Sequence, residues 1–185
     1  EYLHGLAWVE SDGTYGYKDF WAHNPEEERQ ALIDVIDFIN QRMSIPGFED
    51  LRIYHFGHYE PSALKRLSTR HATYETELDT LLRQWRFVDL SRVVIQGMRI
   101  GVESYSIKKL EQMYGFRRED LVEEGKLSIV VYEEWLASRV GGEHAPTGDR
   151  KILDQLIEYN RNDCFSTIDL REWLEAERKK FEAVL

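Results

Sequence analysis

The sequence predicts an α/β layered domain whose sheet begins with antiparallel strands. Two aromatic, β-favouring segments, residues 2–10 and 15–22, flank a turn at residues 11–14 and predict a β-hairpin. Helical and strand-like segments then alternate, and residues 151–180 repeat apolar side chains at the three-and-four spacing of one helix face. This order is typical of helices that pack on a mixed sheet.

The composition is that of a folded protein. A chain of 185 residues can form one domain with a sizeable core, and 42% hydrophobic residues exclude a disordered chain. No apolar run approaches the roughly 20 residues that span a membrane, and no signal peptide is visible. The single cysteine, Cys164, excludes an intrachain disulfide. We therefore expect a cytoplasmic protein with no membrane partner.

The charge balance limits the ways in which the protein can bind nucleic acid. The 24 basic and 34 acidic residues give a formal charge of −10. Binding to nucleic acid depends largely on neutralisation of phosphates by lysine and arginine, so it would require a local basic surface or help from other domains. The acidic excess also suits a site that collects divalent cations.

The first half of the chain contains several predicted helices and strands. Asn24 and Pro25 predict a helix start, and the apolar spacing continues to about Met43. Residues 51–55 are short and β-like, and Pro61 is expected to open the next helix. The remaining elements predicted here are a helix over residues 73–85 and the end of a buried strand over residues 87–90.

The second half is predicted to be mainly helical. Ser106 is expected to cap a helix that Gly115 ends in the left-handed conformation. Lys108 and Lys109 near its start oppose the helix dipole, which indicates either an anionic partner or two solvated lysines. The predicted order continues with a helix over residues 128–139, a loop over 141–148 and the final helix. The tryptophans fit packing in the core better than stacking on nucleic-acid bases: Trp8, Trp21, Trp85, Trp135 and Trp173.

Polar residues lie on or beside the apolar face of the final helix. Asn160 and Asp163 follow Leu153 and Leu156 by seven residues each, and a buried carboxylate needs a partner. Tyr159 precedes Asp163 by four residues and lies about one turn away on the same face. The pattern fits a structural tyrosine–aspartate hydrogen bond, or a metal-ligand carboxylate with a tyrosine that positions water.

A second acidic residue lies where a predicted strand meets a helix. Glu60 follows the strand over residues 51–55, and sites in open α/β sheets collect at the carboxyl ends of strands. Glu60 and Asp163 together would suit two-metal phosphoryl-transfer chemistry. The alternative is that Glu60 merely caps the helix that begins at Pro61.

Five segments carry a specific resemblance. In order, they are IYHFGHYEPSALKRL (53–67), VDLSRVV (88–94), SYSIKKLEQMYGF (104–116), VYEEWL (131–136) and YNRNDCFSTIDLREWL (159–174). They resemble the ribonuclease H-like domain of the predicted RecB-family nucleases, which are related to YprB-like and DnaQ-like DEDD exonucleases. The resemblance implies a ribonuclease H-like fold, with a mixed central sheet flanked by helices. It also implies 3′–5′ exonuclease chemistry on DNA or RNA that depends on Mg²⁺ or Mn²⁺.

The resemblance also assigns roles to particular residues. Glu60 matches the acid of the second exonuclease motif and Asp163 the acid of the third, so both are candidate metal ligands. Tyr159 matches the tyrosine that orients the attacking water. The first motif, an Asp-x-Glu on the opening strand, does not occur ahead of Tyr2, and Glu1 lies too close to the next strand to replace it. Either that strand has been lost or has degenerated, or residues 1–185 are one domain of a larger multidomain protein with its first strand upstream, which is what we expect.

The remaining candidate residues have alternative roles. His55, His58 and Glu60 are conceivable zinc ligands, although the two histidines fit contact with substrate phosphate or hydrogen bonds within the loop better. Asp89 is expected to satisfy backbone groups at a strand end, with the metal site as its alternative. The basic residues that can form a local nucleic-acid track are Lys65, Arg66, Arg70, Lys108 and Lys109.

Two functions therefore remain open. The first is a metal-dependent exonuclease domain with Glu60, Asp163 and Tyr159 in its active site. The second is a non-catalytic module on the same fold that binds nucleic acid or another domain of the parent protein. With only half of the expected carboxylates, the chain by itself is expected to be nearly inactive.

Overall fold

A computed structural model describes residues 1–10, 12–118, 125–139 and 148–183. These residues contain both strands and helices, so the predicted mixed α/β class is confirmed. In chain order the elements are β1 (Leu3–Val9), β2 (Tyr15–Trp21), α1 (Pro25–Met43), β3 (Ile53–His55), α2 (Tyr59–His71), α3 (Glu75–Arg83), β4 (Phe87–Asp89), α4 (Leu90–Gly97), α5 (Ile107–Tyr114), α6 (Gly125–Arg139) and α7 (Gly148–Glu182).

The described strands form two pairs. Strands β1 and β2 make the predicted antiparallel hairpin, in which the Glu10 amide donates to the Thr14 carbonyl at 2.8 Å. Strands β3 and β4 are parallel, and His55 lies in register with Asp89 at their carboxyl ends. Among the described residues the two pairs are separate two-stranded sheets, one antiparallel and one parallel, and not one mixed central sheet.

The chain forms two compact units. The first contains Glu1–His4, Phe20–Phe116 and the described residues from Ser166 onward. The second contains Gly5–Asp19 and the described residues within Arg117–Phe165. Glu60 therefore belongs to the first unit and Asp163 to the second.

Helix α1 begins as predicted and supplies part of the core of the first unit. The Asn24 side chain accepts a hydrogen bond from the Glu27 amide at 2.9 Å, and Pro25 is the first helical residue. Its apolar face places Leu32 and Ile36 at 0% exposure. Fully burying such side chains stabilises the fold by about 1.5–3 kcal/mol each.

A buried carboxylate connects α1 to α2. Glu28 is 8% exposed, and it accepts hydrogen bonds from His71 at 2.8 Å and from Arg70 at 3.0 Å. Burial alone raises the pKa of this carboxyl. In the 185-residue chain, hydrogen bonds from the α-amino group of Glu1, from His71 and from Arg70 outweigh the burial and bring the pKa down to about 2.

Helices α4, α5 and α7 contribute a second apolar cluster to the first unit. Leu90, Val94, Leu110 and Leu170 form its centre, each with 3% exposure or less. Helix α4 was not predicted from the sequence. It begins directly after β4 because the Asp89 side chain accepts from the Ser91 amide at 2.9 Å and caps the helix. The cap places the Leu90 side chain in the core.

A buried polar network lies beside this cluster. The Ser166 hydroxyl donates to the Glu111 carboxylate at 2.8 Å and lies 2.9 Å from the Tyr114 hydroxyl. Ser166 is 0% exposed and Glu111 is 7% exposed. The network satisfies polar groups that burial would otherwise make costly, and it joins α5 to the part of α7 in the same unit.

Several predicted boundaries were wrong. Helix α2 begins at Tyr59 rather than Pro61, because a proline is tolerated anywhere in the first helical turn. Helix α3 is shorter than predicted, and Trp85 beyond it has a φ of 56° and is 81% exposed, so it is not in the core. The predicted loop over residues 141–148 lies outside the described residues except for Gly148, where α7 begins.

The second unit contains aromatic contacts between the hairpin and α7. The ring of Phe165 packs edge-on against Tyr15 at 5.1 Å and against Tyr17 at 6.3 Å between centroids. Trp135 of α6 is 3% exposed and stacks on Tyr132 at 5.6 Å, so its predicted burial is confirmed. Within the described residues, no helix is both long and apolar enough to cross a membrane.

Candidate functional site

Glu60 lies where the carboxyl ends of two parallel strands meet. Strands β3 and β4 end in register at His55 and Asp89, and Glu60 follows in the first turn of α2. Its predicted position at a strand–helix junction is therefore confirmed. The Glu60 side chain is 51% exposed, and its Oε2 lies 3.7 Å from Nδ1 of His55. The carboxylate can be reached from solvent.

Asp89 holds the loop that leads to Glu60. Its Oδ1 accepts from the Gly57 amide at 2.9 Å, and also from the Ser91 amide at 2.9 Å and the Ser91 hydroxyl at 2.6 Å. Burial alone raises the pKa of Asp89, but the hydrogen bonds from Ser91 and Gly57 outweigh it and lower the pKa. Asp89 thus satisfies backbone groups at a strand end, as expected from the sequence.

His55 is part of the same loop structure. It is 8% exposed, and its Nδ1 lies 2.6 Å from the Gly57 carbonyl oxygen. Because a carbonyl only accepts, Nδ1 carries the proton. Burial lowers the pKa of His55, so the ring is neutral near pH 7, and at 3.7 Å it does not hydrogen-bond to Glu60.

The proposed zinc ligands do not come together as a site. His58 is exposed on the loop, whereas His55 is buried and donates to the loop backbone. Within the described ranges, no three histidine, cysteine, aspartate or glutamate side chains lie close enough to hold a metal ion. The hydrogen bond within the loop is the alternative that the geometry supports for His55.

The basic residues of the predicted nucleic-acid track differ in their surroundings. Lys65 is exposed and Lys108 is half-buried. Arg66 is 49% exposed and pairs with the carboxylate of Glu1, which also accepts from the Tyr59 hydroxyl at 2.8 Å. The track therefore stays a prediction, and Arg66 is engaged by an acid of its own unit.

Tyr159 and Asp163 lie one turn apart on α7 in the second unit, and both contact one arginine. Nη1 of Arg118 lies 2.7 Å from Oδ1 of Asp163. The Arg118 Cζ atom lies 5.9 Å from the centroid of the Tyr159 ring, within the range of a cation–π contact. Arg118 was not predicted as part of this group, since spacing along the sequence does not show which acid a distant arginine contacts.

Asn160 fixes α7 against the hairpin within the second unit. Its Oδ1 accepts from the Tyr17 hydroxyl at 2.9 Å, and burial raises the pKa of Tyr17, so the phenol stays protonated as a donor. The Asn160 amide fills the space that a side chain at Gly5 would need. Asn160 thus orients the turn of α7 that carries Tyr159 and Asp163.

The donor set fits a divalent cation only in part. Glu60 and Asp163 offer carboxylate oxygens, which Mg²⁺ and Mn²⁺ prefer, and their side chains are 51% and 39% exposed. However, Asp163 is paired with Arg118, and the described residues contain no cluster of three possible ligands. These residues therefore supply single ligands and not a complete metal centre.

Comparison with known proteins identifies the family. A family model described as RNase_H superfamily matches residues 1–175, which is most of the chain. Comparison with curated proteins and with solved structures gave no match. A domain of this superfamily points to nuclease-type function on nucleic acid, and nucleases of this kind generally use divalent metal ions. The chain belongs to the RNase_H superfamily.

Proposed function

We propose that the chain is the ribonuclease H-like domain of a larger RecB-family-type nuclease that digests DNA or RNA from a 3′ end. The observation that carries this proposal is the superfamily match over residues 1–175. The match is supported by Glu60 and Asp163, the acids that the second and third exonuclease motifs require. The fine assignment to the DEDD exonucleases rests on the five ordered segments and on Tyr159.

In this proposal, two acids are metal ligands. The exposed Glu60 at the strand ends and Asp163 on α7 would each offer carboxylate oxygens to Mg²⁺ or Mn²⁺. Such ions, when bound, stabilise the attacking and leaving oxygens of phosphodiester hydrolysis. Tyr159 would orient the attacking water through its hydroxyl. The carboxylates that these residues lack would come from an Asp-x-Glu segment upstream of Glu1.

The experiment compares the 185-residue chain with a chain extended upstream through an Asp-x-Glu strand. Both are incubated at equal concentration with Mn²⁺ and end-labelled single-stranded DNA or RNA, and the products are separated on a gel. The extended chain should shorten the oligonucleotide from its 3′ end. The short chain should be nearly inactive, because losing even one transition-state stabiliser typically costs on the order of 10²–10³ in rate.

Matched variants of the extended chain separate catalysis from folding. Asp163→Asn and Glu60→Gln should abolish digestion, and Tyr159→Phe should slow it by about 10²–10³ if the hydroxyl positions water. Asp154→Asn is the control, because Asp154 is an exposed acid on the same helix as Asp163. Robust digestion by the short chain that depends on Asp163 would refute the requirement for upstream acids.

A second candidate function follows from the ion pair at Asp163. Its carboxylate is already engaged by Arg118, and the described residues hold no three-ligand cluster, which favours a module that binds nucleic acid or a partner domain without cleaving it. If the extended chain digests neither DNA nor RNA, this non-catalytic function is the better one. Retained binding of an oligonucleotide by that chain would then support it directly.

A further inference from the structure

One arginine of the second unit contacts both third-motif residues. The Arg118 side chain is 12% exposed, whereas that of Asp163 is 39% exposed. The same guanidinium that lies 2.7 Å from Asp163 also lies over the Tyr159 ring. Arg118 is therefore half-buried and contacts the two side chains to which the proposed function gives chemical roles.

A guanidinium in this position competes with a metal ion for the same carboxylate. Pairing with Arg118 gives the partly exposed Asp163 carboxylate a modest stabilisation, which a metal ion at the same oxygen would have to replace. A divalent ion at the Asp163 carboxylate would lie close to the like charge of Arg118, and solvent screens the repulsion in part because the Asp163 side chain is 39% exposed. Binding of the ion must therefore displace the guanidinium or overcome its repulsion.

We propose that Arg118 is the resident counter-ion of Asp163, which a divalent cation must displace before Asp163 can serve as a ligand. This inference deepens the proposed function and rests on it. In the metal-free domain, the arginine neutralises the acid and holds it beside Tyr159. It thereby lowers the affinity of Asp163 for Mg²⁺ or Mn²⁺.

The test measures Mn²⁺ binding by the 185-residue chain, with free Mn²⁺ followed by electron paramagnetic resonance. Arg118→Gln should bind Mn²⁺ about two- to five-fold more tightly than the unaltered chain, the range expected for loss of a partly exposed ion pair. Arg117→Gln is the matched control, because Arg117 is the neighbouring arginine and is exposed. This variant should bind Mn²⁺ with the same affinity as the unaltered chain. Adding Asp163→Asn to Arg118→Gln should remove the gain.

A conservative variant guards against a loss of folding. Arg118→Lys retains the charge but not the planar fork, so it should bind Mn²⁺ more tightly than the unaltered chain and less tightly than Arg118→Gln. Circular dichroism establishes that each variant is folded. Without metal, the losses of melting temperature in Arg118→Gln and Asp163→Asn should be less than additive, since both changes break the same pair.

The outcomes distinguish this inference from the proposed function. Unchanged or weaker Mn²⁺ binding by both Arg118 variants would overturn the counter-ion role, and so would absent binding in every variant. If Mn²⁺ binding fails in this way but the extended chain still digests nucleic acid and requires Asp163 to do so, only the counter-ion inference is refuted. Tighter, Asp163-dependent binding together with an inactive extended chain would support the counter-ion role and refute the nuclease.

Discussion

Replacing Gly5 with alanine should destabilise the second unit, because the new methyl group would have no room. A Cβ at this position would overlap Oδ1 of Asn160, and it would lie 2.9 Å from Cγ of Asn160 and 3.0 Å from the Tyr17 hydroxyl. The Asn160 side chain would have to move. That movement would break the 2.9 Å hydrogen bond that it accepts from Tyr17.

The size of the effect follows from these two losses. The atoms that must move are the end of the Asn160 side chain and not backbone, so relieving the overlap costs about 1 kcal/mol, the low end for overpacking, and the lost part-buried hydrogen bond costs about 1 kcal/mol more. We therefore expect Gly5→Ala to lower the free energy of unfolding by about 2 kcal/mol. For a chain of this size, the melting temperature should fall by roughly 4–8 °C.

Urea unfolding at 25 °C, followed by circular dichroism, measures the loss. Gly97→Ala is the control, because a Cβ there meets nothing within 4 Å, and its stability should change by no more than about 0.5 kcal/mol. In an Asn160→Ala background, the cost of Gly5→Ala should largely disappear. A Gly5→Ala chain as stable as the unaltered one would refute the close approach of Asn160.

The other predictions concern two carboxylates of the first unit. Glu28→Gln should cost about 2 kcal/mol at pH 7, since it weakens the hydrogen bonds from His71 and Arg70. In the 185-residue chain, hydrogen bonds from the α-amino group of Glu1, from His71 and from Arg70 lower the pKa of Glu28 from 4.5 to about 2, so the stabilisation is present above about pH 4.5 and is lost as the pH falls toward 2. The difference between variant and unaltered chain in urea unfolding should close over that range, and a gap independent of pH would contradict the assignment. Asp89→Ala should cost about 1–2 kcal/mol through loss of the α4 cap and of the bond from Gly57. Asp89→Asn should cost less, because an amide oxygen still accepts, and equal losses in both variants would show that the charge itself is required.

The sequence predicted those features of the fold that depend on neighbouring residues. The hairpin, the Asn24 cap of α1 and the left-handed Gly115 that ends α5 were all predicted from local chemistry, and all are confirmed. The position of Glu60 at a strand–helix junction was predictable for the same reason. Helix α4 was missed because its β-branched residues are typical of a strand. The Asp89 cap and the burial of Leu90 stabilise a helix there instead.

The features that depend on distant parts of the chain were not predictable. Arg118 and Asp163 are 45 positions apart, and Gly5 and Asn160 are 155 positions apart, so no periodicity connects the members of either pair. Trp85 is exposed despite its hydrophobic ring, because it lies in the turn that follows α3, where its backbone adopts a positive φ. Whether Glu60 and Asp163 share one site stays a prediction.

The backbone of Gly57 restrains the motion of the loop beside Glu60. Its φ of 93° lets its amide reach Asp89 while its carbonyl accepts from His55, so both backbone groups of one residue are held by the ends of two neighbouring strands. A segment restrained in this way has little conformational entropy left to lose when a ligand arrives. The Gly57 amide proton should accordingly exchange with solvent as slowly as the amides of β3 and β4, although it belongs to no helix or strand.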